Sequence, residues 1–548
     1  MSIRAGSRAA AIGLLLLAAS FSPGASGPQT LADLIRAGNR EAVLAAITSP
    51  DIDVNAAEPD GSTALLWATY RVDHELVRAL LKAGAKANIT NRFGSSPLTE
   101  AVKLGDADLT RLLLDAHADA NSPNQDDQTA LMLASSLGSP EIAQMLIARG
   151  ANVNAVEDFR GQTALMWAAA ESHPEIVDLL LAHGANVKVR AKYDDWPRQM
   201  TSEPRAQFRQ TGGLTALLYA TRSGCYRCVV ALIKAGADVN QPNPDGITPL
   251  INALDNRSFD IAMFLLDKGA NPGAWDMNGR TPLYVAVDMN SYKGRGPGGP
   301  SGFAGYPTPT APQPTSTAKA LDVVNRLLSM GVDPNHELTR MRPNGNGRGR
   351  FEDYMMRGGT GPLMLAAMSH DEVAVKTLLA HGAEVDAVNV FQITPLMAAA
   401  GMSGSARAGF GNGPPASDVQ ERAIKIIDLL LDAGANINAR VTNSRTHTGQ
   451  MVAYIQGRDH EGQTTLFAAA ESGWDHVVKH LVDRGADPTV LDATNKSALD
   501  YARSPPPAGP GAGATAGGSA SPGRAATVVL LAALSPTAGV AGNTAAAK

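Results

Sequence analysis

The sequence predicts an all-α solenoid of about twelve stacked helix–turn–helix repeats, joined by β-hairpin-like fingers. Three observations carry that expectation. A Ser or Thr suited to capping a helix recurs at a fixed interval. Behind each cap come two short apolar segments with helical spacing. Each pair then stops at a Gly-Ala-Asn or Gly-Ala-Asp sequence.

One stretch shows the unit: Thr163 to Val187, TALMWAAAESHPEIVDLLLAHGANV. The Thr163 hydroxyl can accept a backbone N–H at a helix start. Leu165, Ala168 and Ala169 share one helical face. Ser172 and Pro174 interrupt that helix, and Pro174 suits the first turn of the next. Ile176, Leu179 and Leu180 form the second apolar stripe, flanked by Val177 and Leu181. Gly184 fits the left-handed residue past a helix end. Neither helix is long enough to stand alone in water, so the hairpin must lean on a neighbour.

The neighbours are repeats of the same unit. The cap recurs at Thr63, Ser96, Thr129, Thr163, Thr215, Thr248, Thr281, Thr394, Thr464 and Ser497, with several steps of 33 residues. Pro97, Pro249, Pro282 and Pro395 follow their caps directly. Proline is favoured there because the first helical N–H has no intrahelical partner.

The segments GITPLINAL, GRTPLYVAV, LIKAGADVN and LLLDAGANINA resemble ankyrin repeats, with their Thr-Pro-Leu-His turn and Gly-Ala-Asp-Val-Asn stop. The resemblance runs from about Pro28 to about Leu534. The signature His is replaced by Leu66, Met132, Met166, Leu218, Ile251, Tyr284, Met364, Met397 and Phe467. Packing should therefore stand where that His hydrogen-bonds. His117 occupies a position where other repeats have Gly, and His tolerates the left-handed region better than most residues.

The formal net charge of -5 in 548 residues gives no electrostatic case for nucleic acid. Residues 1–27 read as a secretory signal peptide: Arg4 and Arg8, an apolar run from Ala9 to Ala19, then small residues. The alternative is an uncleaved anchor, but the run is short for a bilayer. The expected chain is bacterial, exported, periplasmic or secreted, monomeric, and without a membrane span once the signal is removed.

The solenoid should occupy residues 28–536, with a tail at 537–548. Insertions interrupt it at about 191–211, 290–317, 337–358, 402–418 and 440–460, with a flexible stretch at 504–523. Those between the two helices of a repeat (Ser291–Thr317, Ser403–Asp418, Ser504–Gly523) are rich in Gly, Pro and Ser and read as spacers, so removing either of the first two should do little. After the last, RAATVVLLAAL resumes as the second helix of the terminal repeat. Insertions on the finger side differ in composition. One carries Tyr193, Trp196, Arg198, Arg205, Phe208 and Arg209. The next has Arg340, Arg342, Arg348, Arg350, Phe351, Tyr354 and Arg357. The last contributes Arg440, Arg445, Tyr454 and Arg458. Arg with large aromatics is the mixture enriched at binding hot spots. The plainer reading is that these are surface loops without a ligand, or loops supporting the solenoid.

The resemblance also implies a binding surface on the fingers and the inner ends of the first helices. There the chain has Tyr70 and Arg71, Lys103 and Leu104, Arg222 and Ser223, Asp255 and Asn256, and Glu471 and Ser472. Their ordinary alternative is solvated helix surface. Cys225 and Cys228, the only cysteines, form GCYRC. The strand context of a redox motif is absent, no His follows for haem, and no further zinc ligands lie nearby. They read as structural, one buried and one at the surface, and a local disulfide is open to them in an oxidising space. His183 and His381 sit at helix ends, where a dipole favours them. Gly345–Arg350 lacks the features of a phosphate loop. With no nucleophile–base pair, metal site or cofactor motif, the expected function is a non-enzymatic scaffold for another protein. The alternatives are an envelope glycan or polyanion binder, and an enzyme whose site is assembled by the loops.

Overall fold

The computed structural model describes residues 30–193, 212–291, 316–339, 358–402, 417–442, 460–504 and 522–534. The chain divides into two compact units, residues 1–152 and 153–548.

In the first unit four hairpins stack: α1 (Leu31–Arg36) with α2 (Arg40–Ala46), α3 (Ala64–Tyr70) with α4 (His74–Lys82), α5 (Pro97–Lys103) with α6 (Ala107–Asp115), and α7 (Ala130–Leu137) with α8 (Pro140–Ala148). First helices pack on first helices and second on second. The second unit holds α9 (Ala164–Ala170), α10 (Pro174–Ala182), α11 (Ala216–Ser223), α12 (Tyr226–Lys234), α13 (Pro249–Asp255), α14 (Phe259–Asp267), α15 (Pro282–Ser291) and α16 (Ala320–Ser329). It continues with α17 (Pro362–Met368), α18 (Glu372–Ala380), α19 (Pro395–Ala399), α20 (Ser417–Asp432), α21 (Thr465–Ser472), α22 (Asp475–Asp483), α23 (Ala498–Arg503) and α24 (Pro522–Leu534). Its first helices run in one row from α9 to α23. The twenty-four helices of the described residues pair into twelve hairpins, an all-α repeat architecture. The apolar run near the C-terminus is indeed a helix, α24, packed on α22 and α23.

The Ser/Thr caps act as expected at most repeats. Thr163 accepts from the Met166 N–H, and Thr63, Ser96, Thr129, Thr215, Thr248, Thr394 and Ser497 do the same three residues on. Thr464 is the exception: the Phe467 N–H goes to its carbonyl instead, so its hydroxyl makes no cap bond. The apolar residues standing in for the signature His are all buried, so packing does replace that link. His117 adopts φ +60°, and its carbonyl accepts from Asn88 Nδ2 as Gly84 does from Asn55.

An Asn ladder ties neighbouring repeats. Asn240 donates to the Gly269 carbonyl at 3.1 Å and accepts from the Asn271 N–H at 2.6 Å. The ladder spans two of the finger insertions: Asn335 bonds to Gly382 and Glu384, Asn438 to Gly485 and Asp487. Those two insertions therefore leave repeat register intact.

The ends of the insertion at Ser291–Thr317 are not spacers, which corrects the expectation there, while most of Ser403–Asp418 lies outside the described residues. Ser258 starts α14 without capping it, and the Ser316 hydroxyl takes the Asp260 N–H at 2.9 Å instead. Asp260 in turn accepts from Thr317 N–H, Thr317 hydroxyl and Ala318 N–H. Burial opposes ionisation of Asp260, but these donors hold its carboxyl below the usual carboxylate range. At the other end Asn290 and Ser291 both donate to Asp371, the cap of α18. Likewise Trp474 cannot cap α22, and Gln420 of the lengthened α20 accepts from the His476 and Val477 N–H groups. Ser316 and Gln420 thus supply acceptors that the starts of α14 and α22 lack, while Asn290 and Ser291 brace the cap that α18 already has.

Candidate functional site

The fingers are tight turns rather than strands. Among the described residues the extended pairing amounts to isolated antiparallel bridges, such as Ala57 with Thr63 and Leu491 with Ser497. A closed finger is held by its first residue, its root. At Asn243 the backbone N–H donates to the Ile247 carbonyl and the carbonyl accepts from Gly246, both at 3.0 Å. The Asn243 side-chain oxygen also accepts from the Asp245 and Ile247 N–H groups. Asn91, Asn124, Asp276, Asn389 and Asp492 do the same, and Glu157 does so with its longer side chain.

The short finger at Glu58 departs from this rule, its carboxylate going to Trp67 and Arg36 while Asp60 takes the Ser62 N–H. The three long fingers depart from it in another way. Their roots are Ala191, Leu338 and Val441, all apolar and buried. The backbone pairing persists: Leu338 N–H to Thr360 O at 3.1 Å with Gly359 N–H to Leu338 O at 2.8 Å, and Val441 N–H to Gln463 O with Gly462 N–H to Val441 O. At the first, Ala191 N–H meets Leu214 O and Gly213 N–H meets Lys192 O. Gly359 has φ +81°, and a Cβ there would lie 2.8 Å from Asn389 Cα, so only glycine fits. An apolar side chain cannot close the turn by side-chain bonds. It anchors the stem by burial, and the added residues leave from a fixed base.

Of the expected binding residues, Trp196, Arg198, Phe208, Arg340, Arg342, Arg350, Phe351, Tyr354, Arg445 and Tyr454 lie outside the described residues. Tyr193 sits at the base of the first long finger, bridged to Gly212 and 59 % exposed. Three other exposed aromatics, missed by sequence reasoning, sit on short fingers: Phe93 (66 %), Phe159 (72 %) and Trp275 (62 %). Phe93, Phe159 and Tyr193 hold the same position, two residues after the finger root, and that register was a signal available in the sequence. Arg160 lies over the Phe159 ring at 5.5 Å, and His336 stacks on Trp275 at 5.8 Å.

The inner helix ends are more occupied than expected. Tyr70 is open to solvent, edge-on to Trp67. Arg71 is spent on the Arg36 carbonyl at the end of α1. Lys103 pairs with Glu100, while Leu104 is exposed. Arg222 is exposed and lies over the Tyr219 ring at 4.8 Å, while Ser223 donates to the Ala169 carbonyl. Asn256 bonds back to Asn252. The Glu471 carbonyl accepts from Arg524 of α24, and Ser472 is partly buried. Asp255 receives both guanidinium nitrogens of Arg280 at 2.8 and 3.0 Å, and Arg280 Nε reaches Asp276 at 2.7 Å. Burial, against the attraction of Arg280, leaves the Asp255 carboxyl above its ordinary range, with Asp276 and Asp288 adding repulsion. Arg280 is held firmly protonated by its two carboxylates despite its burial. This is one cation serving several carboxylates, a structural clamp between α13 and the next finger.

Cys225 and Cys228 form a disulfide with Cα atoms 5.3 Å apart. The expected surface thiol is not at the surface, because Cys225 caps α12 and is 8 % exposed. Among the described residues no group of three His, Cys, Asp or Glu is placed to hold a metal ion, and no helix is long and apolar enough to cross a membrane.

Hairpins, Gly-Ala-Asn stops and a finger between each pair agree with the models of known families. An ankyrin-repeat model matches residues 31–124, 100–191 and 217–294, and a single-repeat model matches 358–390 and 461–493. The chain belongs to the ankyrin-repeat family. Ankyrin repeats are generally protein–protein interaction modules, typically without catalysis of their own. A search of curated proteins finds no match to this ankyrin chain.

Proposed function

We propose that this ankyrin-repeat protein is an exported, non-enzymatic scaffold that holds another protein through its three long fingers. The observation that carries the reading is the shared stem. Ala191, Leu338 and Val441 are each buried where a closed finger has Asn, Asp or Glu, and each leads into an Arg- and aromatic-rich segment. A fixed base lowers the ordering cost of a contact made by the segment it carries. Arg and aromatics supply charge-assisted hydrogen bonds and contact area. The exposed Phe159, Tyr193 and Trp275 extend the same chemistry onto neighbouring fingers. Export is supported by the basic–apolar–small pattern of residues 1–27 and by the paired cysteines, since disulfides persist in oxidising compartments.

The experiment removes residues 194–211, 340–357 and 443–459 singly, leaving every stem intact. Circular dichroism reads folding, and recovery of the native partner from the cell envelope reads binding. Each variant should keep its helix content and bind more weakly. Normal binding by all three would move the interface to the inner helix ends, either at Tyr70 and Leu104 or at Arg222. A second reading, an envelope glycan or polyanion as ligand, is favoured by the Arg–aromatic mixture. It would show as binding that collapses with added salt and survives protease treatment of the envelope extract.

A further inference from the structure

The cysteine pair sits where several other hairpins carry ordinary caps. The second helix of other hairpins begins at Asp73, Asp106, Ser139 or Asp371, each accepting an N–H three residues on. Cys225 stands at that position in α12, and its sulfur accepts the Cys228 N–H at 3.2 Å. The disulfide therefore spans one helical turn, from the cap to the third helical residue. A ring this small removes less chain entropy from the unfolded state than a long one would. Those four hairpins close the same turn with an Asp or Ser and no cross-link, and the helices on either side, α10 and α14, start with no side-chain cap at all. The bond ties together only residues of one turn at the start of α12, and the Cys225 sulfur already accepts the Cys228 N–H. The N-terminal end of α12 also favours an anionic sulfur at Cys225. Cys228 is fully buried and Cys225 is 8 % exposed, so an external thiol reaches Cys225 first, through a local opening at the start of α12 and not through unfolding of the repeats.

We propose that Cys225–Cys228 is a reversible dithiol–disulfide centre that exchanges with external dithiols while the fold stays intact. A thiolate of the external dithiol attacks Cys225 Sγ. The Cys225–Cys228 bond breaks, and Cys228 leaves as a thiolate that takes up a proton. The second thiol of the donor then attacks its own sulfur in the mixed disulfide. Cys225 is released as a thiolate and the donor leaves as its cyclic disulfide. Two electrons pass from donor to protein, and oxidised glutathione reverses the process. Cys225 is the sulfur attacked and Cys228 the resolving one. The proposal does not rest on the binding function.

The test uses the full chain without its signal segment, under native conditions. Dithiothreitol is added, thiols are trapped by alkylation and counted by intact mass, and circular dichroism is followed in parallel. Both thiols should become labelled with helix content unchanged, at a rate independent of urea below the unfolding transition. Oxidised glutathione should restore the bond. Of the single variants, Cys228→Ser should form a mixed disulfide with oxidised glutathione at least ten-fold faster than Cys225→Ser. Labelling that appears only as fast as the chain unfolds would overturn the proposal and leave a structural staple. Equal reactivity of the two variants would overturn the assignment of Cys225 as the attacked sulfur. The wild-type measurement stands even where a variant fails to fold.

Discussion

Replacing Arg280 by methionine tests the charge cluster between α13 and the following finger. The side chain is 9 % exposed and makes three charged hydrogen bonds, two to Asp255 and one to Asp276. Methionine restores most of the volume and none of the charge. Asp276, 1 % exposed at its side chain, keeps the Asn278 and Arg280 backbone N–H groups on Oδ1 but loses its partner on Oδ2. Asp255 loses both donors, though 27 % of its side chain reaches solvent. Stranding a buried charge costs about 3–5 kcal/mol, and the solvent at Asp255 places Arg280→Met at the lower end, about 3 kcal/mol at neutral pH. The Asp255 carboxyl, which burial already holds above its ordinary range, loses the opposing attraction of Arg280 and protonates at higher pH in the folded variant than in the unfolded chain, where an Asp titrates near 3.9. Between those values the folded state of the variant binds more protons, so its deficit shrinks as pH falls. Urea unfolding followed by circular dichroism at pH 7 and at about pH 4 measures both effects. A deficit below about 1 kcal/mol at pH 7, or one that grows on acidification, would show a solvated pair that clamps nothing.

Two further outcomes follow from the caps that insertions supply. Deleting residues 292–315 should leave the urea midpoint near wild type, whereas deleting 291–317 should cost about 2 kcal/mol, because Ser316 and Thr317 no longer serve α14 and Asp260. Asp260 has a lowered pKa when folded, so its share of that loss is present at neutral pH and disappears as pH falls through its folded value. Gln420→Ala should cost about 1 kcal/mol by stripping the acceptor from His476 and Val477, read as faster amide exchange at the start of α22; unchanged exchange there would refute the role.

Most of the fold was legible because it is written many times over. Thr63, Ser96, Thr129 and Thr163 each announce a helix start by local chemistry, and the Gly-Ala-Asn stops repeat with them. What escaped was contact between distant positions. Nothing local in Ser316 or Gln420 says that it caps a helix about 56 residues away in the chain. Cys225 reads as a surface residue until its capping place at α12 is seen. Phe93, Phe159 and Trp275 lie on short fingers outside the insertions, although the register that aligns the first two with Tyr193 is in the sequence. Arg71 looked available for a partner, and only the fold shows it spent on the Arg36 carbonyl.

The root residue of a finger has a consequence for how such chains gain sequence. A side-chain amide or carboxylate at that position closes the loop on itself, so an insertion there must first sacrifice those bonds. A buried aliphatic residue makes no such demand, because it holds the base through contacts that ignore what lies beyond it. Leu338 and Val441 keep the same two backbone bonds as Asn243, with far more chain between them. One position per repeat thus separates fingers that resist foreign sequence from fingers that accept it. Exchanging Asn for Leu or Val there, with a glycine kept at the far side of the stem, is the substitution to make before grafting a new segment onto any other repeat.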